Sequence, residues 1–219
     1  MRAPASLTDS GYVDESWIGK PLAFLPTLTA AAESGGAGWL KLAVSEHSWG
    51  GAGLAAAAVA NAEALGIFGV HRVELACRWT APASGSVTEA VYKLLRGFMG
   101  TVAHTVVDGS ADAHHVSAFA ATTARQDATA GSVSVLLICK YPLLGGQCKT
   151  HVSVAAATAA LRCGDEARGS LETVAPVSLA GSNQAWRRMS SQVDLGANEA
   201  GSVQLVLEAM SVNILRVSC

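Results

Sequence analysis

The sequence predicts an all-β domain, an antiparallel sandwich or closed barrel with one or two short helices in its loops. Three observations lead there: strict apolar and polar alternation from Arg72 to Thr80, the strongly β segment VSVLLICKY after Gly131-Ser132 with apolar residues on both faces, and glycine-marked turns between successive strand-like segments. A chain of 219 residues accommodates one such unit around a single core.

Residues 1–38 contain Pro4, Pro21 and Pro26 and end in Ser34-Gly35-Gly36-Ala37-Gly38. That composition reads as an extended N-terminal arm, leaving 39–219 as the folded domain. Leu40, Leu42 and Val44 then alternate with Lys41, Ala43 and Ser45 up to Glu46, which predicts a strand with one apolar face. After the turn Gly50-Gly51-Ala52-Gly53, the alanine-rich stretch from Leu54 to Leu65 predicts a helix, since alanine has the best helix propensity. In the next strand Val73, Leu75, Cys77 and Trp79 point toward a core, and Arg72, Glu74, Ala76, Arg78 and Thr80 point away. Past Pro82-Ala83-Ser84-Gly85, Ser86 and Glu89 have capping-box spacing ahead of Val91, Leu94 and Leu95, a second helix with a strand as the alternative.

The remainder reads as strands. His115 to Ala121 form a short one, and VSVLLICKY is apolar on both sides, so both of its faces are buried. Val152 and Val154 begin another, Leu171 to Leu179 is β around Pro176, and Val203, Leu205, Leu207 and Val212 close the chain as one long strand.

Half of the residues are hydrophobic, only 15% are charged, and the net charge is −2. A surface this poor in charge suits a subunit covered by neighbours, although a GC-rich genome also inflates alanine and glycine. The first forty residues carry Arg2 and Lys20 against Asp9, Asp14, Glu15 and Glu33, so no basic arm is available to neutralise phosphates. The five cysteines, Cys77, Cys139, Cys148, Cys163 and Cys219, are odd in number and lack CxxC spacing, which argues against a disulfide framework or a zinc site. Cys77 and Cys139 are expected as core thiols, Cys219 as incidental. The N-terminus has no apolar core of a secretory signal, and no run reaches the roughly 18 apolar residues that span a bilayer, so no membrane partner is expected.

The chemistry-bearing motifs GxSxG, HExxH and GxxxxGK[ST] are absent from the sequence. His114 and His115 follow Asp112, but neighbours on a strand face opposite ways and cannot share an ion. His47, His71, His104 and His151 stand singly, and Gly50-Gly51-Ala52-Gly53 reads as a turn, not a phosphate cradle. No catalytic, metal or cofactor site is therefore expected, and the chain is read as a non-enzyme. Trp186, Arg187 and Arg188 form the one local group suited to stacking a base and meeting a phosphate, with an inter-subunit salt bridge or solvated turn as the favoured reading.

The segment ANAEALGIFGVHRVELACRWTAPASGSV (60–87), a helix followed by an alternating strand and a Pro/Ser/Gly turn, resembles the coat proteins of small icosahedral positive-strand RNA viruses. TAGSVSVLLICKYPLL (129–144) looks like their central strands and GSVQLVLEAMSVNIL (201–215) like their closing strand. Without a basic arm the closer likeness is to tymovirus-like or related plant and fungal virus coats. The resemblance implies an eight-stranded antiparallel jelly roll and a capsid protein that self-assembles with copies of itself, or with other coat proteins, into a shell enclosing RNA. It also implies a location in the virion, with host cytoplasm during assembly, weak contact with packaged RNA, and an arm anchored on neighbours through Trp17, Phe24 and Leu25. Two other classes stand beside it: a small-ligand-binding β-barrel, and a hydrolase-like enzyme whose scattered residues are brought together only by the fold.

Overall fold

The computed structural model describes residues 4–13, 19–51, 53–96, 98, 102–105, 115–123, 132–142, 144–153, 167–177, 185–195 and 202–218. Asp112, His114, Cys163, Cys219 and Trp17 lie outside the described residues.

Among its described residues the segment 1–38 contains two helices, α1 (Ala5–Thr8) and α2 (Phe24–Ser34). They are followed by β1 (Leu42–His47), α3 (Ala55–Val70), β2 (Val73–Arg78) and α4 (Val87–Leu95). β1 and β2 pair in parallel, with α3 as the crossover between them. A parallel pair cannot be joined by a hairpin and requires a connection of about a dozen residues or more, which the 16-residue α3 supplies. α4 starts where the sequence predicts: the Ser86 hydroxyl accepts from the Glu89 backbone N–H at 3.2 Å, and the Glu89 carboxylate accepts from the Gly85 N–H at 2.8 Å. Such a cap contributes about 1 kcal/mol.

The remaining strands are β3 (Val102–Thr105), β4 (Val116–Thr123), β5 (Ser132–Cys139), β6 (Gln147–Ser153), β7 (Arg168–Pro176), β8 (Trp186–Val193), β9 (Ser202–Glu208) and β10 (Ser211–Ser218). Six of them form an antiparallel sheet in the order β3-β4-β5-β10-β7-β8, and β6 and β9 form a separate two-stranded ribbon. The two pairs are continuous along the chain, β5 running into β6 and β9 into β10, so the ribbon is the end of the β5–β10 ladder folded back over the sheet. The expected single closing strand is two strands, because the chain reverses at Ala209-Met210, where Met210 adopts a positive φ of 53°.

Three layers result. One face of the central strands, through Phe119, Ala121, Leu136, Ile138, Val174, Val212 and Ile214, packs on α3 and α4. The other, through Val116, Val133, Val135, Leu137, Leu215 and Val217, packs on Cys148, Val203, Leu205 and Leu207 of the ribbon. β5 is accordingly buried on both faces, as its composition predicts. Cys139 and Cys148, both fully buried, form a disulfide that fastens the ribbon to the sheet. The cysteine count pointed away from any disulfide; the two sulfurs meet because β5 and β6 fold over each other, which no spacing motif records.

The architecture is therefore not an all-β eight-stranded jelly roll. A parallel strand–helix–strand–helix unit occupies the first half, and its two helices form one of the layers. α3 is buried around most of its circumference by small side chains, Ala55, Ala57, Ala58, Ala60, Ala62 and Ala64 among them. Small residues let the helix approach the sheet closely, and at Gly66 an added Cβ would stand 2.5 Å from the Phe119 ring. A half-buried polar group adds to this seam: Lys140 pairs with Glu63 of α3 at 2.9 Å and donates to the Ser117 hydroxyl at 2.8 Å, and Ser117 donates to the same Glu63 oxygen at 2.6 Å.

Gly66→Ala is expected to lower stability by about 1–3 kcal/mol, measured by denaturant unfolding, because the added Cβ would overlap the buried Phe119 ring and force it or the helix to move. A loss below about 0.5 kcal/mol would show that the seam has slack.

Candidate functional site

The parallel unit offers a site at the C-terminal ends of its strands, where the loops following β1 and β2 emerge on one side. β1 ends in Glu46 and His47, β2 in Arg78 with Trp79 directly after it. The two ends are joined by the Trp79 N–H, which donates to the His47 carbonyl at 3.0 Å. Glu46 is exposed, and Trp79 shows 64% of its surface to solvent. Leu75 and Cys77, on the same face of β2 as Trp79, are exposed too. The alternating face expected to be covered by a core is thus open, and Cys77 is a surface thiol.

His47 points the other way and is buried. Its ring lies 5.2 Å from that of Trp49 and 5.5 Å from that of Phe68 on α3, the second contact edge-on. Burial, with the positive charge of Arg78 second, holds the His47 imidazole below its usual value. Two buried nitrogens here, His47 Nδ1 and Arg78 Nε, have no hydrogen-bond partner. Arg78 makes its bonds through Nη1, to the carbonyl and hydroxyl of Thr80. Deeper between the helices, Tyr92 donates to Asn61 Oδ1 at 3.3 Å and Asn61 donates to the Ala57 carbonyl at 2.7 Å. Burial raises the Tyr92 phenol above its usual value.

A concavity lies at the opposite ends of the strands, lined by Thr29, Glu33, Trp39, Lys41, Arg72 and Glu74. Its two nearest opposite charges neutralise each other, Lys41 pairing with Glu74 at 2.8 Å. Among the described residues no group of three or more His, Cys, Asp or Glu is placed to hold a metal ion. His115 stands beside Tyr141, ring centroids 5.1 Å apart.

The residues singled out from sequence fall elsewhere. Trp186, Arg187 and Arg188 begin β8, the edge of the large sheet, a strand the sequence pattern did not reveal. The Trp186 indole donates to the Gly85 carbonyl at 2.8 Å, fixing the loop ahead of α4. Arg187 grips both oxygens of Glu208 at 2.6 and 2.7 Å, and Arg188 meets Glu172 at 2.5 Å. The Arg188 guanidinium, with Arg216 also near, holds the Glu172 carboxyl below its usual value. Leu25 is buried in α2 while its neighbour Phe24 is 46% exposed. Glu46 drew no attention in the sequence, yet a signal was there: an acid ends an alternating strand, and a glycine turn and a helix follow it.

Comparison with known proteins points away from coat proteins. No protein-family model matches the chain. Over 104 residues, 46% of this chain and 15% of the relative, it is 38% identical to "Endoglucanase A" of Paenibacillus lautus. Its fold matches the crystal structure of CelM2, a bifunctional glucanase-xylanase from a metagenome library, with a TM-score of 0.73 and 26% identity over 99% of this chain and 38% of that one. It also matches Cel44A, a family 44 endoglucanase from Clostridium thermocellum, with a TM-score of 0.70 and 23% identity over 99% of this chain and 40% of that one. These relatives are glycoside hydrolases. The coat-protein resemblance is thereby overturned, and with it the capsid function, the reading as a non-enzyme, the shell of identical or other coat subunits around RNA, and the virion and host-cytoplasm location. The pattern behind it, a helix, an alternating strand and a turn, is common to strand-containing proteins of many kinds. The chain spans about 15% of the curated relative and about two-fifths of the solved ones.

Burial lowers the His71 imidazole as it lowers that of His47. Each therefore takes up its proton in the unfolded chain first, so stability is fully present above the ordinary value of 6.5 and is lost as the pH falls from there toward the folded value. Urea midpoints measured between about pH 7.5 and 5 are expected to decline in the wild type and to decline less in His47→Phe. Equal slopes would remove His47 from the acid response.

Proposed function

We propose that the chain forms part of a glycoside hydrolase acting on polysaccharides of the glucan and xylan type, with Glu46 as one of its working carboxyl groups. The observation that carries this reading is the place of Glu46, an exposed acid at the C-terminal end of a parallel strand, in a chain whose whole length follows a glucanase-xylanase fold. Parallel strand–helix units of this kind build α/β barrels, and barrel enzymes draw their catalytic groups from the C-terminal strand ends. The open face of Leu75, Cys77 and Trp79 is then the side turned to a barrel interior.

Glycosidic bonds are cleaved by two carboxyl groups flanking the scissile oxygen, one protonating the leaving group and the other attacking the sugar or activating water. Among the described residues, Glu46 is the acid that ends a strand of the parallel pair. The exposed Trp79 indole gives a flat apolar surface beside it, suited to the C–H face of a sugar ring. The buried Cys139–Cys148 disulfide fits an enzyme working in an oxidising compartment, where extracellular polysaccharide is met.

Hydrolysis of a soluble β-glucan and of xylan, followed by release of reducing ends, tests the reading. Glu46→Gln keeps the shape of the side chain and is expected to lower kcat about a thousandfold. Trp79→Ala is expected to raise KM about tenfold through loss of a stacking surface. A Glu46→Gln protein as active as the wild type would overturn the proposal.

A further inference from the structure

The register of the parallel pair is broken at the site. Val44 stands opposite Ala76 and His47 opposite Arg78, so two residues of β1, Ser45 and Glu46, face the single residue Cys77 of β2. That is a β-bulge, an extra residue that bends the strand and re-aims its side chains. Its consequence shows in the burial: Ser45 and Glu46 are both exposed in succession, and His47 turns inward. In a regular strand two neighbours would not both stand on the open side.

Something must hold the bulge, because a one-residue slip would carry Glu46 toward the helices. The His47 ring packs against both Trp49 and Phe68, and the rings of Trp49 and Phe68 are themselves 6.2 Å apart, so the three form one triangular aromatic cluster. His47 Nδ1 has no hydrogen-bond partner, so at that nitrogen the ring is retained by contact and not by bonding. The backbone on the far side of the bulge is closed by the hydrogen bond from the Trp79 N–H to the His47 carbonyl.

We propose that His47 is the positioning residue for Glu46: its ring, wedged against Trp49 and Phe68, fixes the Ser45–Glu46 bulge and so the direction in which the carboxylate leaves the strand. The role in catalysis rests on the reading of Glu46 as a working carboxyl group; the role in holding the bulge does not.

The experiment has two readouts on the full chain, exchange of the Trp79 backbone amide followed by NMR and steady-state hydrolysis of a soluble β-glucan. His47→Ala removes the wedge, and the Trp79 amide is expected to exchange at least about tenfold faster with the amides of β5 and β10 unchanged. The same variant is expected to lose about a hundredfold in kcat with KM within about twofold, since a carboxylate displaced by an ångström still lies beside bound sugar. His47→Phe keeps the ring and is expected to restore both readouts to near the wild type. If His47→Ala also releases the β5 and β10 amides, His47→Val takes its place with the same expectations. An unchanged Trp79 amide, or a His47→Phe variant as impaired as His47→Ala, would overturn the positioning role. Full activity in Glu46→Gln would overturn the reading of Glu46 and leave the exchange result to judge the wedge alone.

Discussion

The close approach of α3 to its neighbours is the constraint on which the other features depend. The helix is lined with alanine, and its Gly66 admits the Phe119 ring at a distance where no side chain fits. Larger residues would hold the helix farther from the sheet and open the core between them. Because α3 is also the crossover that makes β1 and β2 parallel, its seating carries the strand ends with it. Phe68, two residues beyond Gly66, meets His47 from the same helix. A single packed element thus connects the rigid β-sheet to the residue beside Glu46.

Two kinds of fastening surround that element. Lys140, Glu63 and Ser117 tie α3 to β4 and the end of β5 through half-buried, mutually bonded groups. Trp186 ties the far edge of the sheet to the loop that opens α4. Residues suited by type to an RNA contact are used inside the chain, since Arg187 and Arg188 spend their charge on Glu208 and Glu172. Pairs as exposed as these add little to stability.

Local structure was largely legible in the sequence, and the way its parts assemble was not. The cap at Ser86, the alanine helix, the alternation from Val73 and the two-sided burial of Val133 to Cys139 are each written in neighbouring residues. Alternation in β2 told that one face is apolar, but Leu75 and Trp79 are exposed, because alternation does not say what lies against that face. The reversal at Ala209-Met210 carries neither glycine nor proline, so two strands read as one. β8, WRRMSSQV, is an edge strand exposed along most of its length and shows no apolar period. The pairing of Cys139 with Cys148 depends on the fold-over of the β5–β10 ladder, a tertiary event invisible to spacing. Strand, helix, strand and helix were each read in order at the start of the chain, and that alternation is the mark of a parallel crossover. The many later strands outweighed it, and the likeness to viral coats followed from patterns that any sheet shares.

The site was the least legible part, for a physical reason. Glu46 is one carboxylate among seventeen acidic residues, and what distinguishes it is a strand end, a bulge and a parallel neighbour, all properties of the fold. An epoxyalkyl β-cellobioside, which esterifies a carboxylate at the point where sugar binds, tests that distinction most directly. Peptide mass spectrometry after labelling is predicted to find the ester on Glu46, with protection by excess cello-oligosaccharide. A label absent from Glu46, or spread over exposed acids such as Glu74 without protection, would contradict it.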